Sequence, residues 1–346
     1  VSTSKTAGAA TATAVAPDVR PILSVRDLTI DYLGEPRQPA LVQDVSFDVL
    51  PGRSVALIGE SGCGKTITSL AVLGLLPARM RVAGGSIVLD GVDVLQASER
   101  TLRDLRGRTV GAIFQEPMSS LNPTMPVGDQ IGEARWLHLG ESRRAARAKA
   151  VELLDRVGIP NAARRARAYP HELSGGMQQR VMIASAIACE PAMLLADEPT
   201  TALDVTVQAD ILALLADLQR DLGLGILFVT HDLGVVAEFC ADVVVMYAGH
   251  VVERAGTRAL FAAPRHPYTA ALLGAVPQAG QARTVLTTIP GRVPPSGAFP
   301  AGCRFRPRCA HAVATCAEPQ HGGADGDHFT LCDRVAAGEL TPRRRT

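Results

Sequence analysis

Two short stretches of this chain carry residues whose types and spacing suit phosphate chemistry. The first is GESGCGKT, Gly59 to Thr66. Glycines at 59, 62 and 64 let the backbone turn so that its N–H groups face a phosphate chain; Lys65 can reach the terminal phosphates and Thr66 offers a hydroxyl to Mg²⁺. Such a loop must leave a buried strand and open a helix, and SVALI before it and ITSLAVLGLL after it supply both. The second stretch is AMLLADEP, an apolar run ending in two acids. Asp197 can hold the water shell of Mg²⁺, and Glu198 follows it in a position to polarise an attacking water. Together they describe a site that splits a phosphate chain with water.

A third group is less easily read. Four of the seven cysteines, Cys303, Cys309, Cys316 and Cys332, fall in the last 44 residues. Their gaps of five, six and fifteen residues match neither the paired C-x-x-C of zinc ribbons nor ferredoxin runs. Number and density speak more strongly than spacing. Four thiolates complete a [4Fe–4S] cluster or a structural Zn²⁺ site, and the surrounding Pro- and Gly-rich text is poor material for a core. Arg304, Arg306 and Arg308 would help to balance the thiolate charge. A cluster, zinc and no metal all stay open. Cys189 and Cys240 read as small buried residues.

The elements that must position these groups follow from apolar patterning. ILSVRDLTIDY and LVQDVSFDVL alternate as half-buried strands, and SIVLDGVDV carries an Asp90-Gly91 hairpin turn, so an antiparallel sheet is expected near the N-terminus. SVALIG, AMLLAD, GILFVT and DVVVMYAG are short continuous apolar runs separated by helical stretches, which predicts a parallel sheet covered on both faces. ESRRAARAKAVELLDRVGI reads as an amphipathic helix ending at Gly158, its cations a solvated face. The Ala-, Thr- and Ser-rich start, residues 1–21, is expected to be a disordered arm, and after Thr257 a separate loop-rich tail is expected. A formal net charge of +1 gives no electrostatic reason for a nucleic-acid partner. With no spanning apolar run and no signal-peptide core, the chain is expected in the cytosol.

From about Ile22 to Thr257 the sequence resembles the ATP-binding-cassette ATPases, and its most diagnostic element is LSGGMQQR, Leu173 to Arg180. Ser174 and the two following glycines open a helix whose free N–H groups can cap a phosphate. The resemblance implies that this phosphate belongs to ATP held by a second subunit, and that an isolated monomer is inactive. It further implies an α/β fold with a parallel-sheet core, an N-terminal antiparallel β subdomain and a helical subdomain, spanning residues 22–257, plus a small Cys-containing domain, 258–346. ATP with Mg²⁺ would be held by Tyr32, Gly59, Ser61, Gly62, Cys63, Gly64, Lys65, Thr66 and Ile67, with Thr66, Gln115 and Asp197 on the metal. The thiol of Cys63 would point away from the phosphates. Ser174, Gly175, Gly176, Gln178 and Asp204 would serve the shared nucleotide site, and Glu198, His231 and Gln115 the reaction.

FQEPMSSLNPTMPV and RHPYTAALLGAVP followed by IPGRVPPSGAFPAGCRFRPRC are similar to the dipeptide and oligopeptide importer branch. That implies a related but different ATPase partner, two membrane-spanning permease subunits, an extracytoplasmic peptide-binding protein and a peripheral place at the cytoplasmic face of the membrane. Some importers of this kind carry an iron–sulfur cluster in the tail. Nickel or another small solute is an alternative cargo. A soluble cassette acting on ribosomes or DNA is the competing class, opposed by a single cassette without a coiled-coil insertion or basic excess; a redox-regulatory protein is the third.

Overall fold

The computed structural model describes residues 19–33, 39–114, 120–201, 203–275 and 288–342. Most of the expected arm, and Gln115, lie outside them.

Among the described residues, eight strands form the main sheet. In spatial order they are β11 (Gly323–Asp325), β12 (His328–Thr330), β10 (His250–Gly256), β9 (Asp242–Tyr247), β3 (Ser54–Ile58), β8 (Gly225–Thr230), β7 (Met193–Asp197) and β6 (Val110–Ile113). The run from β9 to β6 is parallel, and β10, β12 and β11 add to its edge antiparallel. Side chains alternate between two cores. Ala56, Ile58, Leu194, Ala196, Ile226 and Phe228 enter one, while Val55, Leu57, Met193, Leu195, Leu227 and Val229 enter the other. Both faces are therefore covered, which is why these strands read as unbroken apolar runs.

The second core is closed by a smaller antiparallel sheet, in the order β2 (Val42–Val49), β1 (Leu23–Tyr32), β4 (Met80–Leu89) and β5 (Val92–Asp93). The hairpin expected at Asp90-Gly91 forms, with Leu89 facing Val92 and both turn residues at positive φ. Helices Val127–Leu139 and Arg143–Arg156 pack together and against the helix Gly175–Ala186, making the helical subdomain. Ser142 caps the second of these, its oxygen accepting from the Ala145 N–H at 3.2 Å, and Gly158 at φ +77° ends the segment as its sequence indicated.

The tail returns to the sheet through β12, with Glu253 paired to Thr330. Glu253 is 0% exposed. Its carboxylate accepts from the N–H groups of Arg265 and His266 at 2.7 and 2.8 Å, and meets His328 Nε2 at 2.7 Å. One buried acid thus fastens both the chain leaving the main sheet and the hairpin that comes back. Replacing Glu253 by Ala strands these donors, and we expect a loss of about 3 kcal/mol in chemical denaturation with early proteolysis after residue 257; an unchanged midpoint would contradict this role.

Candidate functional site

Strand register brings the separated motifs to one edge. Ile58 lies beside Thr230, and Asp197 beside Val229, so the phosphate loop, His231 and Glu198 all emerge at the carboxyl ends of neighbouring parallel strands. The loop joins β3 to the helix Lys65–Val72. Two of its glycines are dictated by shape. A Cβ on Gly59 would collide with the Met246 carbonyl oxygen, and Gly64 holds φ +105° at the helix start, which a side chain would strain. Lys65 is buried, its Nζ donating to the Gly59 and Glu60 carbonyl oxygens at 2.7 and 3.3 Å.

Across from the loop, Asp197 is buried at the end of β7. Burial pushes its carboxyl above the usual range, the charge of Glu198 adds to this, and a hydrogen bond from Thr66 with the charge of Lys65 opposes it. Hydroxyl and carboxylate side by side are the hard oxygen donors that Mg²⁺ prefers. Glu198, at φ 49°, meets His231 Nδ1 through Oε1 at 2.9 Å and accepts from the Thr201 hydroxyl through Oε2 at 2.9 Å. Burial would raise its carboxyl, but the hydrogen bonds from His231 and Thr201, with the charges of His231 and Lys65, hold it below the usual range. The His231 side chain is 65% exposed, free to face an incoming group.

Lys65, Thr66, Glu198 and His231 border one cavity of about 580 Å³, which Asp197 does not line. Tyr32, Ser61, Gly62, Gly64, Lys65, Thr66, Ile67, Glu198 and His231 line it, together with Leu41, Met80 and the tail segment Val293–Ser296, which the sequence analysis did not name. Gly59 stands behind the loop, and the buried thiol of Cys63, raised by its burial, does not line the cavity. Ser174, Gly175, Gly176, Gln178 and Asp204 do not line it either. Ser174 caps its helix, accepting from the Met177 N–H at 3.4 Å, and Asp204 caps the helix Val205–Leu222 from the Val207 N–H at 2.9 Å. Gln178 is committed inside its own loop, donating to Pro170 and Leu173 carbonyl oxygens at 2.8 and 3.3 Å. Its neighbour Gln179, unmarked by sequence reasoning, donates to the Pro199 carbonyl at 2.6 Å and ties the signature helix to the segment after Glu198.

Among the described residues no group of three or more His, Cys, Asp or Glu side chains is arranged to hold a metal ion. The four tail cysteines, none in a disulfide, nevertheless line one small cavity. Burial, less so the charges of Cys309, Cys332 and Cys316, pushes the Cys303 thiol up to about 11. Cys309 and Cys332 are raised in the same way, by burial first and by neighbouring thiols after it.

The ABC transporter family pattern matches residues 42–201, and that of the oligopeptide/dipeptide transporter C-terminal region matches residues 252–316. A Brucella melitensis protein named as a peptide import ATP-binding protein is 50% identical over 329 residues, covering 91% of this chain and 97% of its own. A peptide ABC transporter ATP-binding protein, so named, of Sinorhizobium fredii is 48% identical over 299 residues, covering 86% and 89%. Among solved structures, cbiO1 of Clostridium perfringens, part of the cbiONQ ABC transporter complex, superposes with a TM-score of 0.61 at 28% identity, over 70% of this chain and 91% of that one. A dimeric ATP-binding cassette bound to ADP and Pi gives 0.60 at 26% identity, over 68% and 99%. The chain belongs to the ATP-binding-cassette family and is an ATPase. Its tail is of the oligopeptide/dipeptide transporter type.

Because Gly59 leaves no room for a Cβ against Met246, the Gly59→Ala variant must displace the start of the phosphate loop. We expect ATP affinity to fall at least about tenfold, about 1.4 kcal/mol, in titration calorimetry; native affinity in a folded variant would show that this close approach does not shape the site.

Proposed function

We propose that this chain is the ATP-hydrolysing subunit of a membrane importer for dipeptides or oligopeptides. The observation that carries the reading is the union, in one polypeptide, of the cavity bordered by Lys65, Thr66, Glu198 and His231 with a tail of the oligopeptide/dipeptide transporter type. Two permease subunits and an extracytoplasmic peptide-binding protein complete such a machine, with a second, related ATPase chain as the partner. No helix among the described residues is long and apolar enough to cross a membrane, so attachment at the cytoplasmic face would run through the permease.

In the proposed cycle ATP enters with its base against Tyr32 and its phosphates in the glycine loop. Lys65 exchanges the Gly59 and Glu60 carbonyls for terminal phosphate oxygens. Thr66 and Asp197, with Gln115 from outside the described residues, would hold Mg²⁺, which supplies charge neutralisation between the phosphates. Glu198, kept ionised by His231 and Thr201, orients the attacking water and takes its proton, while His231 steadies the terminal phosphate. The position of Ser174, Gly175 and Gly176 away from this chain's own cavity supports a site shared between two chains. The N–H groups at that helix start would then cap a neighbour's ATP, with Asp204 and Gln178 shaping the contact.

For the tail, the finer reading is a [4Fe–4S] cluster held by Cys303, Cys309, Cys316 and Cys332, with Zn²⁺ as the alternative. Four soft donors on one cavity support it. Bound metal would staple a segment with little core of its own.

Replacing Glu198 by Gln should cut hydrolysis at least about a hundredfold while ATP binding persists; near-normal turnover would contradict its role. Thr201→Val removes a hydrogen bond that favours the ionised form of Glu198. The carboxyl then rises, and the acid limb of the turnover profile should move to higher pH; an unmoved limb would dissociate Glu198 from that limb. Anaerobically purified chain should contain about four iron and four sulfide per chain; stoichiometric zinc without sulfide would replace the cluster by the alternative.

A further inference from the structure

The nucleotide cavity has a wall that neither the phosphate loop nor the acidic strand end accounts for. Val293, Pro294, Pro295 and Ser296 of the tail share it with Tyr32 and Lys65. Val293 and the prolines add apolar surface to that of Tyr32, Leu41 and Met80, a lining that suits a purine and not a phosphate.

One side chain holds this wall. The Arg308 side chain is 5% exposed. Its Nε donates to the Pro290 carbonyl oxygen at 2.7 Å and its Nη2 to that of Ile289 at 3.4 Å, anchoring the chain just before Val293. Its Nη1 donates to both carboxylate oxygens of Glu60, at 3.0 and 3.1 Å, and to the Tyr247 hydroxyl at 3.3 Å. Glu60 is the second residue of the phosphate loop. Its N–H donates to the Tyr268 hydroxyl at 3.0 Å, and its carbonyl oxygen accepts from Lys65 at 3.3 Å. A single guanidinium therefore joins the loop that grips phosphate to the segment that walls the cavity.

The charge arrangement is as informative as the contacts. A loop built for a polyanion carries an acid at its second position, and a bare carboxylate there would repel the phosphates it borders. Arg308, out of solvent and aligned on both oxygens, cancels that charge. From this geometry we infer that Arg308 is a positioning residue of the nucleotide site: it neutralises Glu60 beside the phosphate loop and fixes Val293–Ser296 as a wall for the base and ribose. The inference rests on the assignment of this cavity to ATP.

The test uses the full-length chain, with dissociation constants for MgATP and for Mg-tripolyphosphate, which has no base. Arg308→Gln should weaken both about tenfold, since the bare Glu60 acts on the phosphates common to both. Adding Glu60→Gln to that variant should restore most of the tripolyphosphate affinity, a rescue that loss of packing alone would not give. Replacing Pro294 and Pro295 together by Gly should weaken MgATP severalfold and leave tripolyphosphate unchanged; Pro294 is half-buried and Pro295 exposed, so the change does not disturb the core. Should Arg308→Gln fail to fold, the proline variant decides. Native MgATP affinity in both variants would overturn the inference and leave the cavity assignment standing, whereas a wild-type chain that does not bind MgATP would remove the assignment itself.

Discussion

The structure is organised around one close approach, that of the phosphate loop to the strand beside it. Gly59 leaves β3 with no space for a side chain against the Met246 carbonyl of β9, and the chain then turns through Gly62 and Gly64 at positive φ. A glycine-rich turn of this kind lets backbone N–H groups face an anion, which is how a neutral backbone can bind a highly charged ligand. The sheet exists to hold that path. Because β3 lies between β8 and β9, both parallel to it, its carboxyl end is fixed from two sides. Asp197, Glu198 and His231 then fall into place from the ends of β7 and β8 without any local contrivance.

Charge is managed around the loop with equal economy. Glu198 is held ionised by His231 and Thr201, while buried Asp197 is pushed the other way by its surroundings. Two adjacent acids thereby acquire different characters, one held in its ionised form and the other pushed toward its neutral form. The loop's own acid, Glu60, is met by an arginine that lies 248 residues further along the chain. Through it the tail becomes part of the nucleotide site, and the next residue after that arginine is one of the four clustered cysteines.

Much of this was legible in the linear text, and the reason is local. Gly59 to Thr66, the acid pair at 197 and 198, the Asp90-Gly91 turn and the Gly158 stop each depend on residues within a few positions of one another. The doubly covered strands were legible because both faces are apolar, which erases alternation and leaves a continuous run. What escaped was long-range or brief. β6 has four residues and β11 and β12 three each, too few for a period to appear. Glu253 sits in a strand as an ordinary polar residue, and only folding shows that three donors converge on it. Arg308 read as one of three cations near the thiols, yet its carboxylate partner is in the phosphate loop.

The arrangement divides labour between what this chain completes and what it offers outward. Its cavity is lined by the loop, Glu198 and His231, while Ser174, which caps its helix, does not line it. Turnover per chain as a function of dilution tests that division most directly. Specific activity should fall toward zero as the purified chain is diluted and should return on adding a second ATPase chain of the kind proposed above; full activity that stays constant at every dilution, with Ser174 dispensable, would contradict it.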